Sequence, residues 1–214
     1  MLRTGAGFWV AHAPNKKTQK QNNSNKISDI IETPKYIKTW IPIKSISNHI
    51  IFAIIASEDQ RFLEHSGVDY VELEKVVEER IIKGQSRGAS TITQQVAKNL
   101  FLFPQKIAIR KVFELYYSYL IEVVWGKRRV LEVYLNIVQF GEYIYGVEAA
   151  SYYYFRKPAQ YLDNHEASQL AAILPNPIRL NLKNKSNYLM RRINRIEKYT
   201  TKIDKAKIQD LLEQ

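Results

Sequence analysis

The sequence has no cysteine among its 214 residues. This absence excludes a disulfide framework, a thiolate nucleophile and a cysteine-ligated metal site, and it leaves the redox compartment open. No apolar run reaches the roughly 18 residues that a membrane-spanning helix needs. The chain also lacks a GxGxxG motif, a P-loop, an HExxH motif and a repeat of fixed period, so none of those classes is supported by its sequence.

Basic residues are in excess, with 32 Lys and Arg against 21 Asp and Glu and a formal net charge of +11. Such an excess points to an anionic partner, which is a nucleic acid, an anionic lipid or a phosphorylated substrate. The 14 tyrosines are also many for this length. Tyrosine suits half-wet surfaces, including membrane interfaces and carbohydrate sites.

The organisation of the chain is predicted from hydrophobic spacing and from proline and glycine positions. We expect residues 1–48 to form a polar tail and an extended arm, and residues 49–214 to form one mainly helical domain. Helices are predicted over 72–83, where Gly84 ends the helix, from Thr91 onward, over 110–125, over 129–136 and from His165 to Leu174. Residues 187–214 are interpreted as a basic helical tail.

The segment Glu58 to Gly67, EDQRFLEHSG, follows the apolar run 50–56. If the segment is helical, Glu58, Phe62 and His65 share one face. The acid then lies in apolar surroundings beside an imidazole, which suits it to proton transfer near neutral pH. The alternative is a helix that reaches the surface at Ser57 and shows solvated charges.

The segment 91–99, TITQQVAKN, begins with Thr91 and Gln94 at the spacing of a capping box. Two polar stripes follow from helical spacing: Thr91, Gln95 and Asn99 form one, and Ser90, Gln94 and Lys98 form the other. The loop 84–90, GQSRGAS, directly precedes this helix. We call it the glycine loop, and the helix N-terminus that follows it is a candidate anion site. The alternative is an exposed polar face with a good cap.

The apolar run 100–103, LFLF, consists of consecutive residues, so a single helix face cannot bury all four side chains. Pro104 then ends the element. The run is interpreted either as a buried turn or as an apolar loop that enters lipid or covers a hydrophobic ligand. Further along, Arg110 and Lys111 lie one helical turn before Glu114.

Five segments together resemble the peptidoglycan glycosyltransferases of family 51, and in particular the monofunctional biosynthetic transglycosylases. The segments are EDQRFLEHSG, GASTITQQVAKN, RKVFE, RRVLEVYLN and GVEAASYYYF, and they occur in the family's order and approximate spacing between about 50 and 181. The resemblance implies a mainly α fold, with a lysozyme-like head lobe and a smaller membrane-associated jaw lobe. It also implies transfer of the growing glycan from undecaprenyl pyrophosphate to the GlcNAc 4-hydroxyl of lipid II, with inversion.

The resemblance assigns roles to matching positions. Glu58 is the expected general base, and Glu114 is the second catalytic glutamate, which orients cations or substrate. Lys98, Arg110 and Lys111 are expected near the departing pyrophosphate, where cations stabilise developing charge. The remaining expected substrate-binding residues are Asp59, Phe62, His65, Ser90, Thr91, Gln95 and Asn99.

No tightly bound cofactor is expected, and a magnesium or manganese ion would be shared with the substrate pyrophosphate. The expected partners are lipid II, the nascent glycan, the membrane surface and the cell wall synthesis machinery, without nucleic acid. The family implies the periplasmic face of the inner membrane, and we expect the membrane anchor to be missing from this chain. The alternatives are a lysozyme-like glycan hydrolase and a non-enzymatic basic protein that binds nucleic acid.

Overall fold

The computed structural model describes residues 37–84, 88–102 and 108–213, without the side chains of Lys83 and Ala108. The predicted tail before residue 37, the centre of the glycine loop at 85–87 and residues 103–107 of the apolar loop lie outside the described residues. The helices are α1 (Asn48–Glu58), α2 (Tyr70–Lys83), α3 (Ile92–Phe101), α4 (Ala108–Ile137), α5 (Val147–Phe155), α6 (Asn164–Ile173), α7 (Asn187–Thr200) and α8 (Lys205–Glu213). The strands are β1 (Ile37–Lys38), β2 (Gln139–Gly141) and β3 (Ile144–Tyr145). The predicted mainly α class is confirmed.

Helix α1 is the centre of the core. All seven residues of the run 50–56 are buried, as expected for a helix that is apolar on every side. Helices α6 and α7 pack against it. The Ser47 side chain accepts a hydrogen bond from the His49 N–H at the start of α1 and donates one to the Leu162 carbonyl. The last residue of this buried helix is Glu58, so the packing of α1 fixes where that carboxylate emerges.

Helix α3 begins as predicted. The Thr91 hydroxyl accepts from the Gln94 N–H, and the Gln94 side chain accepts from the Thr91 N–H, which completes the capping box. The polar face was expected to be solvated if it was not a binding site, yet Gln94 is only 2% exposed. Helix α4 packs alongside α3 and accounts for this burial.

Helix α4 is two helical segments joined at Gly126. This residue has φ 68° and ψ 170°, outside the helical region, as the predicted break between residues 125 and 129 requires. The second segment carries Asn136, whose side-chain amide donates to the Ile41 carbonyl and accepts from the Ile41 N–H, both at 2.9 Å. These two hydrogen bonds attach the arm to α4 at Ile41.

The small sheet was not predicted. Strand β3 lies between β1, to which it is parallel, and β2, to which it is antiparallel, with Ile37 opposite Ile144. Strands of two and three residues are too short to show a period-two pattern, so the sequence contained no signal for them.

Two glycines with positive φ allow a matched stability prediction. A Cβ on Gly67, at φ +86°, would lie 2.8 Å from the Ser118 carbonyl oxygen, whereas a Cβ on Gly84, at φ +63°, would meet none of the described residues within 4 Å. We expect Gly84→Ala to lower the free energy of unfolding by about 1 kcal/mol through its left-handed backbone alone. Gly67→Ala is expected to lower it by about 3 kcal/mol, because overpacking adds about 2 kcal/mol.

Urea denaturation of both variants measures this difference. Equal losses for the two variants would show that the turn before α2 does not press against α4 in solution.

Candidate active site

The Glu58 carboxylate lies at the end of α1 with 14% of its side chain exposed. Its Oε2 accepts from the Gln95 side-chain amide at 3.0 Å. Its Oε1 accepts from the Ser57 hydroxyl at 2.9 Å and from an Arg192 Nη2 at 3.3 Å. Both carboxylate oxygens of Glu58 thus have hydrogen-bonding side chains beside them.

The helix does not continue from Glu58 to His65, so the condition under which Glu58, Phe62 and His65 would share one helix face is not met. Helix α1 ends at Glu58, and Asp59 leaves it with φ −160°. The reason is that the Asp59 carboxylate accepts from the Ile92 N–H at 3.0 Å, which ties this residue to the start of α3. The imidazole of His65 consequently pairs with Asp59 rather than lying beside Glu58, with Nε2 2.9 Å from Oδ1.

Phe62 and Thr91 hold the turn between α1 and α2 in place. The Phe62 ring is fully buried, with the His65 ring edge-on at 6.4 Å and the Lys127 ammonium 4.4 Å from its centroid. The Thr91 hydroxyl donates to the Gly67 carbonyl at 2.6 Å. The structure thus gives Asp59, Phe62, His65 and Thr91 packing and hydrogen-bonding roles, and their contact with substrate stays a prediction.

A second acidic centre lies on α4. The Glu114 side chain is 6% exposed, and its Oε1 lies 2.5 Å from the ammonium of Lys111, which is half exposed. The same ammonium lies 3.5 Å from the side-chain oxygen of Gln94. The Lys111 ammonium thus contacts α3 through Gln94, while half of the Lys111 side chain stays accessible to solvent or to a ligand.

Helix α3 connects the two predicted catalytic glutamates. Gln95 donates to Glu58, and the adjacent Gln94 accepts from Lys111, which pairs with Glu114. Glu58 and Lys111 therefore each contact α3, through side chains that are consecutive in the sequence. Glu58 and Gln95 form one hydrogen-bonded group at α3, and Gln94, Lys111 and Glu114 form a second.

The other predicted substrate-binding residues are more exposed to solvent. Ser90, Lys98 and Asn99 are exposed and Arg110 is partly buried. Among the described residues, Lys111 rather than Arg110 forms the ion pair with Glu114. Within the described ranges Lys98 and Arg110 form no ion pair, so both are available to a phosphate. The binding roles of all four residues stay predictions.

A buried ion pair lies beside the Phe62 ring. The Lys127 ammonium is 2.7 Å from Glu122 Oε1, which also accepts from the Thr93 hydroxyl at 2.5 Å. Burial lowers the pKa of Lys127, and its hydrogen bond to Glu122 opposes that shift. The hydrogen bond from Thr93 to Glu122 ties α3 to α4.

Asp59, His65 and Asp69 form a group with metal-like spacing, since one ligand atom from each lies within 4.8 Å of the others. Asp59 and Asp69 already accept backbone N–H groups, from Ile92 and Glu72. The Arg61 guanidinium is also 3.2 Å from Asp69. The positive charge of Arg61 already lies beside Asp69, so we assign no metal to this group.

Arg192 was missed in the sequence because it lies in the predicted basic tail. That segment is no tail: α7 buries Leu189, Ile193 and Ile196 against the core. Arg192 is three residues after the first of these and four before the last, so it borders the apolar stripe. The helical spacing of the stripe was the signal that separated it from the solvated arginines.

The sequence of this chain is similar to that of known proteins over most of its length. A transglycosylase family model matches residues 23–200. A biosynthetic peptidoglycan transglycosylase of Bacteroides thetaiotaomicron is 46% identical over 165 residues, which are 77% of this chain and 66% of that protein. Proteins of the same name from Vibrio parahaemolyticus and Bdellovibrio bacteriovorus are 47% and 42% identical, over 78% and 82% of this chain and 76% and 72% of theirs. The chain spans about two thirds to three quarters of the length of these relatives.

Proposed function

This chain belongs to the transglycosylase family, and from that premise we propose that it polymerises the glycan strands of peptidoglycan. The family predicted from the five motifs is thereby confirmed. The proposed substrates are lipid II as acceptor and the growing glycan on undecaprenyl pyrophosphate as donor.

The proposed reaction is a glycosyl transfer with inversion. Glu58 takes the proton of the GlcNAc 4-hydroxyl, whose oxygen forms a bond to C1 of the donor MurNAc. The bond between C1 and the pyrophosphate oxygen breaks, and undecaprenyl pyrophosphate leaves with the electron pair. Lys111, held by Glu114, together with Lys98 and Arg110, stabilises the charge that develops on the leaving group.

The observation that supports this proposal best is that α3 contacts both the Glu58 carboxylate and the Lys111 ammonium. A carboxylate that is partly open to solvent lies at one end of the Gln95 side chain, and the Lys111 ammonium contacts the neighbouring Gln94. Inverting transfer needs both a base for the acceptor and cations for the leaving group, and a lysozyme-like hydrolase needs no such cation cluster. A magnesium or manganese ion, if used, would be bound mainly by the pyrophosphate.

The substrate carries a lipid, so we also propose that one surface of the protein meets the membrane. Among the described residues, no helix is long and apolar enough to span a bilayer. None of the described side chains of α2 is buried, and α2 exposes Ile81 and Ile82 by 79% and 77%. The outward side of α4 exposes Val112, Phe113, Tyr116, Tyr119, Val123 and Val124. In this proposal, these residues belong to the jaw lobe, beside a lysozyme-like head, at the outer face of the cytoplasmic membrane.

Loss of the α2 apolar surface should weaken membrane binding. We expect the double variant Ile81→Ser with Ile82→Ser to bind vesicles of anionic phospholipid about 10²- to 10⁴-fold more weakly, because each buried isoleucine contributes roughly 1.5–3 kcal/mol and each 1.4 kcal/mol is a factor of ten. Co-sedimentation with vesicles measures this. Ile178→Ser is the control, since Ile178 is 63% exposed outside α2 and α4. An equal loss for the control would refute the assignment of α2 to the membrane.

Incubation of the purified chain with lipid II tests the proposed function. Polymeric glycan, with release of undecaprenyl pyrophosphate, is the expected product. Fragments from finished glycan strands without polymer would instead indicate a hydrolase. Steeply salt-dependent binding to DNA without either activity would indicate a nucleic-acid-binding protein.

A further inference from the structure

The Glu58 carboxylate is held from two sides by side chains that come from other helices. Gln95 reaches it from α3 and Arg192 from α7. We propose that Gln95, oriented by Tyr134, and Arg192 are positioning residues that fix the carboxylate in the orientation from which it accepts the proton of the acceptor sugar. This inference rests on the proposed function, in which Glu58 is the base.

The direction of the Gln95 amide follows from hydrogen-bond chemistry. A carboxylate only accepts, so the amide NH₂ faces Glu58 and the amide oxygen faces away from it. That oxygen accepts from the Tyr134 hydroxyl at 3.1 Å. Tyr134 is fully buried, and burial, followed by the nearby charges of Glu58 and Asp59, raises its pKa well above the usual value. The hydroxyl therefore keeps its proton, and the hydrogen bonds run one way from Tyr134 to Glu58.

The Arg192 guanidinium is fixed before it reaches Glu58. Its Nε donates to the Ala172 carbonyl near the end of α6 at 3.1 Å, and its Nη2 donates to the Ser57 hydroxyl at 2.8 Å. The same Nη2 lies 3.3 Å from Glu58 Oε1. A lysine could not make these contacts together, because its ammonium is a single point of charge. Arg192 thus ties the ends of α1 and α6 to α7 and presents a preorganised charge to the carboxylate.

Donors on both oxygens restrict the rotation of the Glu58 carboxyl group. A displacement of about 1 Å at a reacting group can cost roughly 10²-fold in rate. Because Gln95 and Arg192 contact Glu58, their loss should lower kcat and leave KM nearly unchanged. A substrate-binding role for the same residues would raise KM instead.

The first test measures steady-state glycan polymerisation from lipid II by Arg192→Ala. We expect kcat to fall about 10- to 100-fold with KM within about twofold of the wild-type value. Added methylguanidinium should restore part of kcat, whereas choline at equal ionic strength should not. The control is Arg191→Ala, which removes the same charge from an exposed position on α7 and should keep full activity.

A second variant tests the other side of the carboxylate. Gln95→Glu has the same shape but places a like charge against Glu58, so we expect at least the same loss of kcat. Thermal unfolding followed by circular dichroism checks that both variants are folded. If Arg192→Ala does not fold, the comparison of kcat with KM is made on Arg192→Lys and Gln95→Glu instead.

The outcomes separate the two proposals. If the wild-type chain makes no polymer, the proposed function fails. If the wild-type chain is active while Arg192→Ala and Gln95→Glu keep their kcat, or change KM alone, the positioning role is wrong and the proposed function stands.

Discussion

Glu58→Gln is expected to lower kcat for glycan polymerisation by about 10²- to 10⁴-fold, the usual contribution of a general base. Glutamine keeps the shape of the side chain and can still accept from Ser57 and Arg192, but it cannot take a proton from a sugar hydroxyl. The variant should fold, with a loss of less than about 2 kcal/mol in the free energy of unfolding.

Glu64→Gln is the matched control for this prediction. Glu64 lies in the same turn, and its side chain is 60% exposed where it pairs with Arg61. An exposed pair contributes little, so the control should retain its rate and its stability. A Glu58→Gln enzyme that polymerises lipid II at the wild-type rate would show that the base is elsewhere.

Lys111→Met is expected to lower kcat by about 10²- to 10³-fold, because it removes a fixed cation from the position proposed for the leaving pyrophosphate. The ammonium is held 2.5 Å from Glu114 while its side chain stays 50% exposed. Lys111→Arg keeps the charge and should retain more activity than Lys111→Met. Rates at saturating lipid II measure the effect.

Stability must be separated from chemistry for this variant, because Lys111→Met leaves the buried Glu114 carboxylate without its cation. Breaking a buried pair can cost about 3–5 kcal/mol. The double variant Lys111→Met with Glu114→Gln removes both charges and should recover stability without recovering activity. Arg195→Ala, at an exposed position on α7, controls for net charge. If the double variant regained the wild-type rate, the cation would have no role in the reaction.

Local signals in the sequence predicted the local features of the site. The left-handed Gly84, the capping box of Thr91 and Gln94 and the break at Gly126 each depend on neighbouring residues, and each is present. The buried character of α1 followed from its uninterrupted apolar run. Glu58 was therefore placed correctly at the end of a buried segment.

Contacts between distant segments could not be predicted in this way. Arg192 and Glu58 are 134 positions apart, and only the packing of α7 on α1 brings them together. Asp59 leaves the helix and accepts from the Ile92 N–H at the start of α3, a contact that spans 33 positions and overrides the helical spacing of Phe62 and His65. Tertiary contacts of this kind have no periodic pattern in the chain.

The most direct measurement is a crystal structure of the protein with an unreactive lipid II analogue in the acceptor position. Our account predicts the GlcNAc 4-hydroxyl within about 3 Å of Glu58, with Gln95 and Arg192 still bound to that carboxylate. A donor analogue should place its pyrophosphate against Lys111. An acceptor hydroxyl that faces another carboxylate, with Glu58 distant from both sugars, would contradict the account.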